Sequence, residues 1–427
     1  AVNAATVTTL TGTAATANTA YASGGITGLG NEAVTLSDTE LATTVLNTLD
    51  GNTTGAVNAA TVTTLTGTAA TANTAYASSG ITGLGNEAVT LSDTSLTSTV
   101  LNTLDGNTTG AVNAATITAF SGTAATLNTA YASSGITGLG NEVVTLTDTT
   151  LAITVLNTTN SNTTGAVNAN SVTTLTGTAT QVDTLYNSSG ISGLGDEGVE
   201  ISDTEITATL MNQVNGHTSG VINAASVTTI TGEVENINAV YASANTSPVE
   251  ISGLGNEAVT IEDTNLAVAK LNTLDGYTSG AINASTLTTL SGTTSALNTA
   301  YASSGITGLG NEAVTISDTS VAASALNTLD GTTTGAVNAA TVNTLTGLAA
   351  DANTALTSSG ISGLGNEAVT LSDTELATTV LNTLDDNTTG AVNAATVTTL
   401  TGTAATANTA YASSGISGLG NEAVTLS

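Results

Sequence analysis

The segment Gly28-Leu-Gly-Asn-Glu32 returns along the chain as a Gly-Leu-Gly-x-Glu motif. Its leucine recurs at Leu84, Leu139, Leu194, Leu254, Leu309, Leu364 and Leu419. Six of the seven intervals match the first, Leu29 to Leu84, a period of 55, and only the step from Leu194 to Leu254 is longer, at 60. A fixed period of this size constrains the fold more than any local signal, because each unit can bury its apolar face only against its neighbours. The expected organisation is one continuous repeat array over residues 1–427. Its units are 1–55, 56–110, 111–165, 166–220, 221–280, 281–335 and 336–390, with a partial unit at 391–427. The long fifth unit carries Ala244-Asn-Thr-Ser-Pro-Val-Glu250 with the sole proline, and an insertion in a repeat array is expected to project as a loop. Residues 391–427 nearly repeat residues 1–37, which suggests a window on a longer array or a protomer that stacks end to end.

Each unit divides into two related halves, marked by Val7, Val34, Val62 and Val89, which stand alternately 27 and 28 apart. Both halves read as a short extended piece, a capped segment of about ten residues, a glycine turn and another extended piece. The predicted fold class is therefore an α/β solenoid of short parallel strands and short helices, with a pure β-solenoid as the alternative. In the second half, Ser37-Asp-Thr-Glu40 fits a capping box, Leu41, Ala42, Val45, Leu46 and Leu49 form an apolar stripe, and Asp50-Gly51 supplies a stop. The Leu46 position is large in every copy while the Val45 position admits Lys270, so Leu46 is expected inside and Val45 at the edge. The first-half helix, Thr13 to Ala22, is mostly alanine. Paired strands want about 4.8 Å between coils and packed helices about 8–10 Å, so the helices are expected to fan outward.

Composition narrows the function. Tryptophan is absent, one Phe and eight Tyr supply the aromatics, and Ala, Val and Leu dominate a hydrophobic content of 40%, which implies a thin core in layers. One Lys and no Arg stand against 32 Asp and Glu, for a formal charge of −31. Nucleic-acid binding needs cations against phosphate and is excluded as an expectation, as is attraction to anionic membranes. No transmembrane run is visible, so no membrane insertion is expected. Without cysteine there are neither disulfides nor thiolate metal sites. The scarcity of Lys and Arg leaves trypsin-like proteases little to cut, which favours an extracellular or cell-surface location.

Several repeated residues are candidate sites. Glu32 and Asp38, with Glu87 and Asp93 in the next unit, recur without cationic partners. They are either a Ca²⁺ ligand set or, on the simpler reading, a solvated corner and a helix cap, with no cofactor at all. Asn18, Asn47, Asn73 and Asn102 sit where asparagine is a poor helix former, so a structural ladder serving buried backbone groups is expected. Tyr21 and Tyr76 belong to a tyrosine column, replaced once by Leu356, that reads as packing. Asn52-Thr-Thr54 matches an N-glycosylation acceptor, weakly in so Thr-rich a chain. The glycines of the motif lack phosphate-loop spacing and lysine and are better explained as tight corners. The single His217 looks like a turn substitution. No copy gathers a nucleophile, a base and an orienting group, so an enzyme is not expected.

The phrases Val45-Leu-Asn-Thr-Leu-Asp-Gly-Asn-Thr-Thr-Gly55 and Ala17-Asn-Thr-Ala-Tyr-Ala-Ser23, joined by Gly-Ile-Thr-Gly-Leu-Gly-Asn-Glu, resemble the very long β-strand-repeat cell-surface proteins of marine cyanobacteria and other bacteria. The likeness spans the chain and is one of repeat style, so no active residue transfers. It implies a secreted surface or filament protein. The function expected is structural: an extracellular fibre, sheath, surface layer or stalk that self-associates end to end or laterally. The alternative is a binding surface, either an adhesin for glycans or an ice-binding face built from columns such as Thr8, Thr9 and Thr11.

Overall fold

The computed structural model describes residues 1–427 and contains 39 short strands and 15 helices. The first unit runs β1 (Val2–Asn3), β2 (Thr9–Gly12), α1 (Ala14–Ala22), β3 (Ile26–Thr27), β4 (Ala33–Leu36), β5 (Glu40–Ala42) and α2 (Thr43–Asn52). The second opens with β6 (Val57–Asn58), β7 (Thr64–Gly67), α3 (Ala69–Ala77) and β8 (Ile81–Thr82), and the same order recurs down the chain. Every strand pairing is parallel, from one coil to the next. The fold is an α/β solenoid whose structural repeat follows the period of the sequence. Its helices are regular, so the purely β alternative does not describe it. No helix is long and apolar enough to cross a membrane.

The chain divides into two compact units, one of residues 1–201 with 216–222 and the other of residues 202–215 with 223–427. Within the first, β2-β4-β6-β8 form a sheet, and two further sheets each have five strands. Within the second, three sheets have five strands and a last one has three.

The spacing conflict between strands and helices is resolved by slip along the strands. In one sheet Leu41 pairs with Leu65, Leu65 with Val89, Val89 with Val112 and Val112 with Ile136. Each step advances the pairing by 23 or 24 along the chain, whereas two coils together occupy 55. The ladder therefore falls behind the coil by three to four residues per turn. At about 3.3 Å per residue along a strand and about 4.8 Å across, equivalent points on successive coils lie about 12 Å apart. That leaves room for a helix in each coil, which needs about 8–10 Å. It also explains why a sheet ends after five strands: by then the slip has carried the pairing from β5, just before a helix, to Ile136–Thr137, just after one.

The first-half helices start where the sequence predicts, and α1 is capped twice. Thr13 Oγ1 accepts from Thr16 N at 3.3 Å, and Asp38, from the following coil, accepts from Ala14 N at 2.8 Å. Asp93, Asp148, Asp263, Asp318 and Asp373 serve Ala69, Ala124, Val234, Thr294 and Ala349 in the same way. A carboxylate at a helix N-terminus satisfies an orphan amide and faces the positive end of the dipole.

This corrects the predicted capping box at Ser37–Glu40. Residues 40–42 form β5, paired with Thr64–Thr66, and α2 begins only at Thr43, where Ala42 makes no side-chain cap. Leu41 is buried in the strand layer opposite Leu65, and this cross-coil pairing outweighs the local cap signal. The predicted stop at Asp50-Gly51 also fails: α2 runs through Gly51 to Asn52, and Gly51 does not adopt positive φ.

The core is a set of columns. Leu46, Leu101, Leu156, Met211, Leu271, Leu326 and Leu381 are all fully buried, with Leu49 and Leu104 beside the first two. Val45 is only half-buried, as expected of the stripe's edge. In the fifth unit the insertion lengthens the helix to Val234–Ala244 and leaves residues 245–250 exposed.

Candidate functional site

The Gly-Leu-Gly-x-Glu motif folds into a closed corner around its glutamate. Gly28 adopts φ +89°, and a β-carbon there would sit 2.7 Å from Ala5 N, so only glycine fits. The bend turns the next two amides inward. Gly30 N donates to Glu32 Oε2 at 2.8 Å, Asn31 N at 3.2 Å, and the Tyr21 hydroxyl, arriving from the end of α1, at 3.0 Å. Thr53, which follows α2, donates its hydroxyl to the Glu32 carbonyl at 2.7 Å and accepts from Gly55 N at 3.0 Å.

Glu32 is fully buried, and so are Glu87, Glu142, Glu197, Glu257, Glu312 and Glu367. The reading of Glu32 and Glu87 as a solvated corner is therefore corrected. A glutamate so placed normally needs a cation, and the only lysine, Lys270, is exposed and paired with Glu235 at 2.7 Å. Backbone amides and the tyrosine hydroxyl hold the carboxylate instead. At Glu32, burial pushes the carboxyl pKa up, but the amides of Gly30, Glu32 and Asn31 with the Tyr21 hydroxyl outweigh it and leave the group below the usual carboxylate range. The Gly30 and Asn31 amides and the Tyr21 hydroxyl converge on one oxygen. The other oxygen, Oε1, is sealed without a partner in Glu32, Glu87, Glu197, Glu257, Glu312 and Glu367.

The tyrosine column is thus more than packing. Tyr76, Tyr131, Tyr186, Tyr241 and Tyr301 donate to their glutamates at 2.7–3.0 Å. Burial, helped by the adjacent carboxylate and opposed by a threonine hydroxyl, raises the pKa of each of these phenols well above the ordinary value. A group whose folded pKa is raised contributes stability that is complete below its unfolded pKa and is lost as pH rises towards the folded one. Thermal stability is therefore expected to hold up to about pH 10, the ordinary tyrosine value, and to decline above it. Melting curves of Tyr76→Phe should show a shallower alkaline decline than wild type, and an identical decline would rule this account out.

The proposed Ca²⁺ ligands do separate work. Glu32 and Glu87 close corners, while Asp38 and Asp93 cap helices. No three acidic or histidine side chains gather as a metal group. The asparagines bridge coils: Asn18 Nδ2 donates to Val45 O at 3.0 Å, Asn47 to Thr71 O at 2.9 Å, Asn73 to Val100 O at 3.1 Å and Asn102 to Thr126 O at 2.8 Å. Asn52, the glycosylation candidate, donates its amide to Asn18 Oδ1 at 2.9 Å, and the following Thr53 is buried, so the acceptor amide is already in use.

His217 is no mere turn substitution. It ends the helix Ala208–His217, lies 2.9 Å from Asp183 Oδ1 and stacks on Tyr186 with ring centroids 5.2 Å apart. Asp183 and His217 together replace the Asn18–Asn52 pair of the first unit. The sequence signal was the simultaneous change at two positions 34 residues apart. The buried threonine column of Thr53, Thr108 and Thr163 carries no signal in the sequence, because threonine is so common here.

No protein-family profile matches this chain, and no curated protein matches it significantly.

Proposed function

We propose that this chain is a structural repeat protein of the cell surface or extracellular space, serving as a segment of a fibre, sheath, surface layer or stalk. The observation that carries the reading is the corner itself: a buried carboxylate held by an inward glycine amide, with a threonine hydroxyl on its carbonyl, rebuilt from unit to unit with the tyrosine once replaced, by Leu356. Such uniformity fits a protein whose task is to repeat a rigid element. Rigidity is supported by the number of side-chain bonds that tie each coil to the next, from Asn18, Asn47, Asp38 and Thr53 in the first unit alone. The uncharged Thr and Asn surface and the near absence of Lys and Arg suit exposure to proteases and salt. The resemblance to bacterial β-strand-repeat surface proteins points the same way.

Negative-stain imaging of the native material from producing cells tests this. Continuous filaments, sheets or a surface coat are expected. Dispersed particles that never associate with the cell surface or with one another would overturn the proposal.

A further inference from the structure

The fifth unit departs from its sisters in one loop. In the second unit the turn from α3 to β8 is tied down: Ser78 Oγ donates to Asp50 Oδ2 at 2.6 Å, Gly80 N donates to Ser78 Oγ at 3.0 Å and Gly80 O accepts from Val57 N at 2.8 Å. The fifth unit replaces Ser79-Gly80 of that turn by Ala244–Glu250. Residues 245–250 are the longest run of exposed residues in the chain. From Thr246 to Val249 no backbone amide or carbonyl takes part in a hydrogen bond.

The ends of this loop are pinned while its middle is free. Asn215 stands where most sister units carry an aspartate, Asp50 in the first. Its Nδ2 donates to Ser243 Oγ at 3.2 Å and to Glu250 Oε2 at 3.1 Å, one residue on each side of the loop. An aspartate there would face the carboxylate of Glu250, so the change at position 215 matches the insertion. On the helix side, Asn245 Nδ2 donates to Tyr241 O and Thr246 Oγ1 to Ser243 O, both at 2.8 Å. Between these anchors the aliphatic side chain of Val249 is left 42% exposed.

We propose that this loop is a processing site, at which an endopeptidase with a small apolar specificity pocket hydrolyses the Val249–Glu250 peptide bond. Water adds across the bond: Val249 keeps the carbonyl carbon as a carboxylate, and Glu250 keeps the nitrogen as an ammonium group. An endopeptidase takes its substrate as an extended segment, which a helix or a paired strand supplies only by local unfolding. An exposed loop without backbone bonds supplies it directly. A small aliphatic residue such as Val249 suits a shallow apolar pocket. The cut leaves the fold whole, because bonds from both sides of it cross between coils. Val234 N donates to Asp263 Oδ2 at 2.7 Å, the Tyr241 hydroxyl to Glu257 Oε2 at 2.9 Å and Asn238 Nδ2 to Lys270 O at 3.0 Å. Thr229–Gly232 also pairs with Ala258–Ile261 as adjacent strands. The product is a nicked chain that has lost covalent continuity and kept its structure.

Brief digestion of the full native chain with pancreatic elastase, read by intact mass spectrometry and gel filtration, tests this. The first products expected are residues 1–249 and 250–427, eluting together where the uncut chain elutes and separating only in denaturant. Val249→Asp changes an exposed side chain, so the variant should fold, and it should slow the first cut about tenfold or more by presenting a charge to an apolar pocket. Replacing residues 244–250 by the Ser-Gly of the sister turn should remove the cut altogether. A first cut outside residues 245–250, an unchanged rate in Val249→Asp or in the shortened variant, or fragments that part without denaturant overturns the proposal. Filament imaging is independent of all these outcomes.

Discussion

Replacing Glu87 by alanine is expected to cost about 3–5 kcal/mol and to loosen the chain from Tyr76 to Gly110, because three buried donors lose their common acceptor. The amides of Gly85 and Asn86 and the hydroxyl of Tyr76 all point at Glu87 Oε2, at 2.8, 3.2 and 2.9 Å. Leaving such a donor buried and unsatisfied costs about 1–3 kcal/mol, and removing the side chain adds a cavity beside Thr108. Glu87→Gln separates geometry from charge. One amide oxygen keeps an acceptor for the three donors, while the NH₂ takes the place of an oxygen that accepts nothing. The glutamine variant should therefore lose less than half of what the alanine variant loses. Melting temperature and hydrogen exchange at the Gly85 and Asn86 amides measure both effects. Equal damage from the two variants would mean that the negative charge, and not the acceptor, holds the corner together. An undamaged alanine variant would remove the corner from any account of stability.

What the sequence reveals about this fold follows from what repetition exposes. Comparing copies identified Leu46 as an inward column, because only large apolar residues occupy it. It also identified the ladder asparagines, because nothing else tolerates their unfavourable place in a helix. The capping box misled because Ser37, Asp38 and Glu40 satisfy a local pattern whose partners lie one coil away: Asp38 caps α1 and Glu40 pairs with Thr64. A single sequence contains no distance between coils, so the slip of the ladder against the helices was invisible. The burial of Glu32 was hidden by the prior that glutamate lies outside. One clue was present. The separation of tyrosine from the motif glutamate is 11 in most units and 16 in the fifth, so the pair survives an insertion placed between its members. Tyr241 still reaches Glu257 at 2.9 Å. A contact kept across a change of spacing marks a bond between side chains and not a turn requirement.

Three glycines of the second unit separate the reasons for which this chain uses glycine. Gly106 lies in the helix Ser98–Asn107 with open space where a β-carbon would be, so Gly106→Ala should be neutral or stabilising by up to about 1 kcal/mol. Gly85 also has open space but adopts φ +139°, so Gly85→Ala should cost about 1–2 kcal/mol through backbone strain alone. Gly110 has no positive φ, yet a β-carbon there would collide with the carbonyl of Glu87 and the amide of Ala88. That obstacle is backbone, and no rotamer change relieves it. Moving it would pull the Glu87 carbonyl from Thr108 and disturb the bonds from Val89 N to Ala111 O at 2.9 Å and from Val112 N to Gly135 O at 2.8 Å. Gly110→Ala should therefore cost about 3 kcal/mol or more, the largest effect of the three. Melting the three variants side by side checks the order. If Gly110→Ala proved as mild as Gly85→Ala, the close approach of consecutive coils would not be what fixes this glycine, and the corner would be looser than its hydrogen bonds imply.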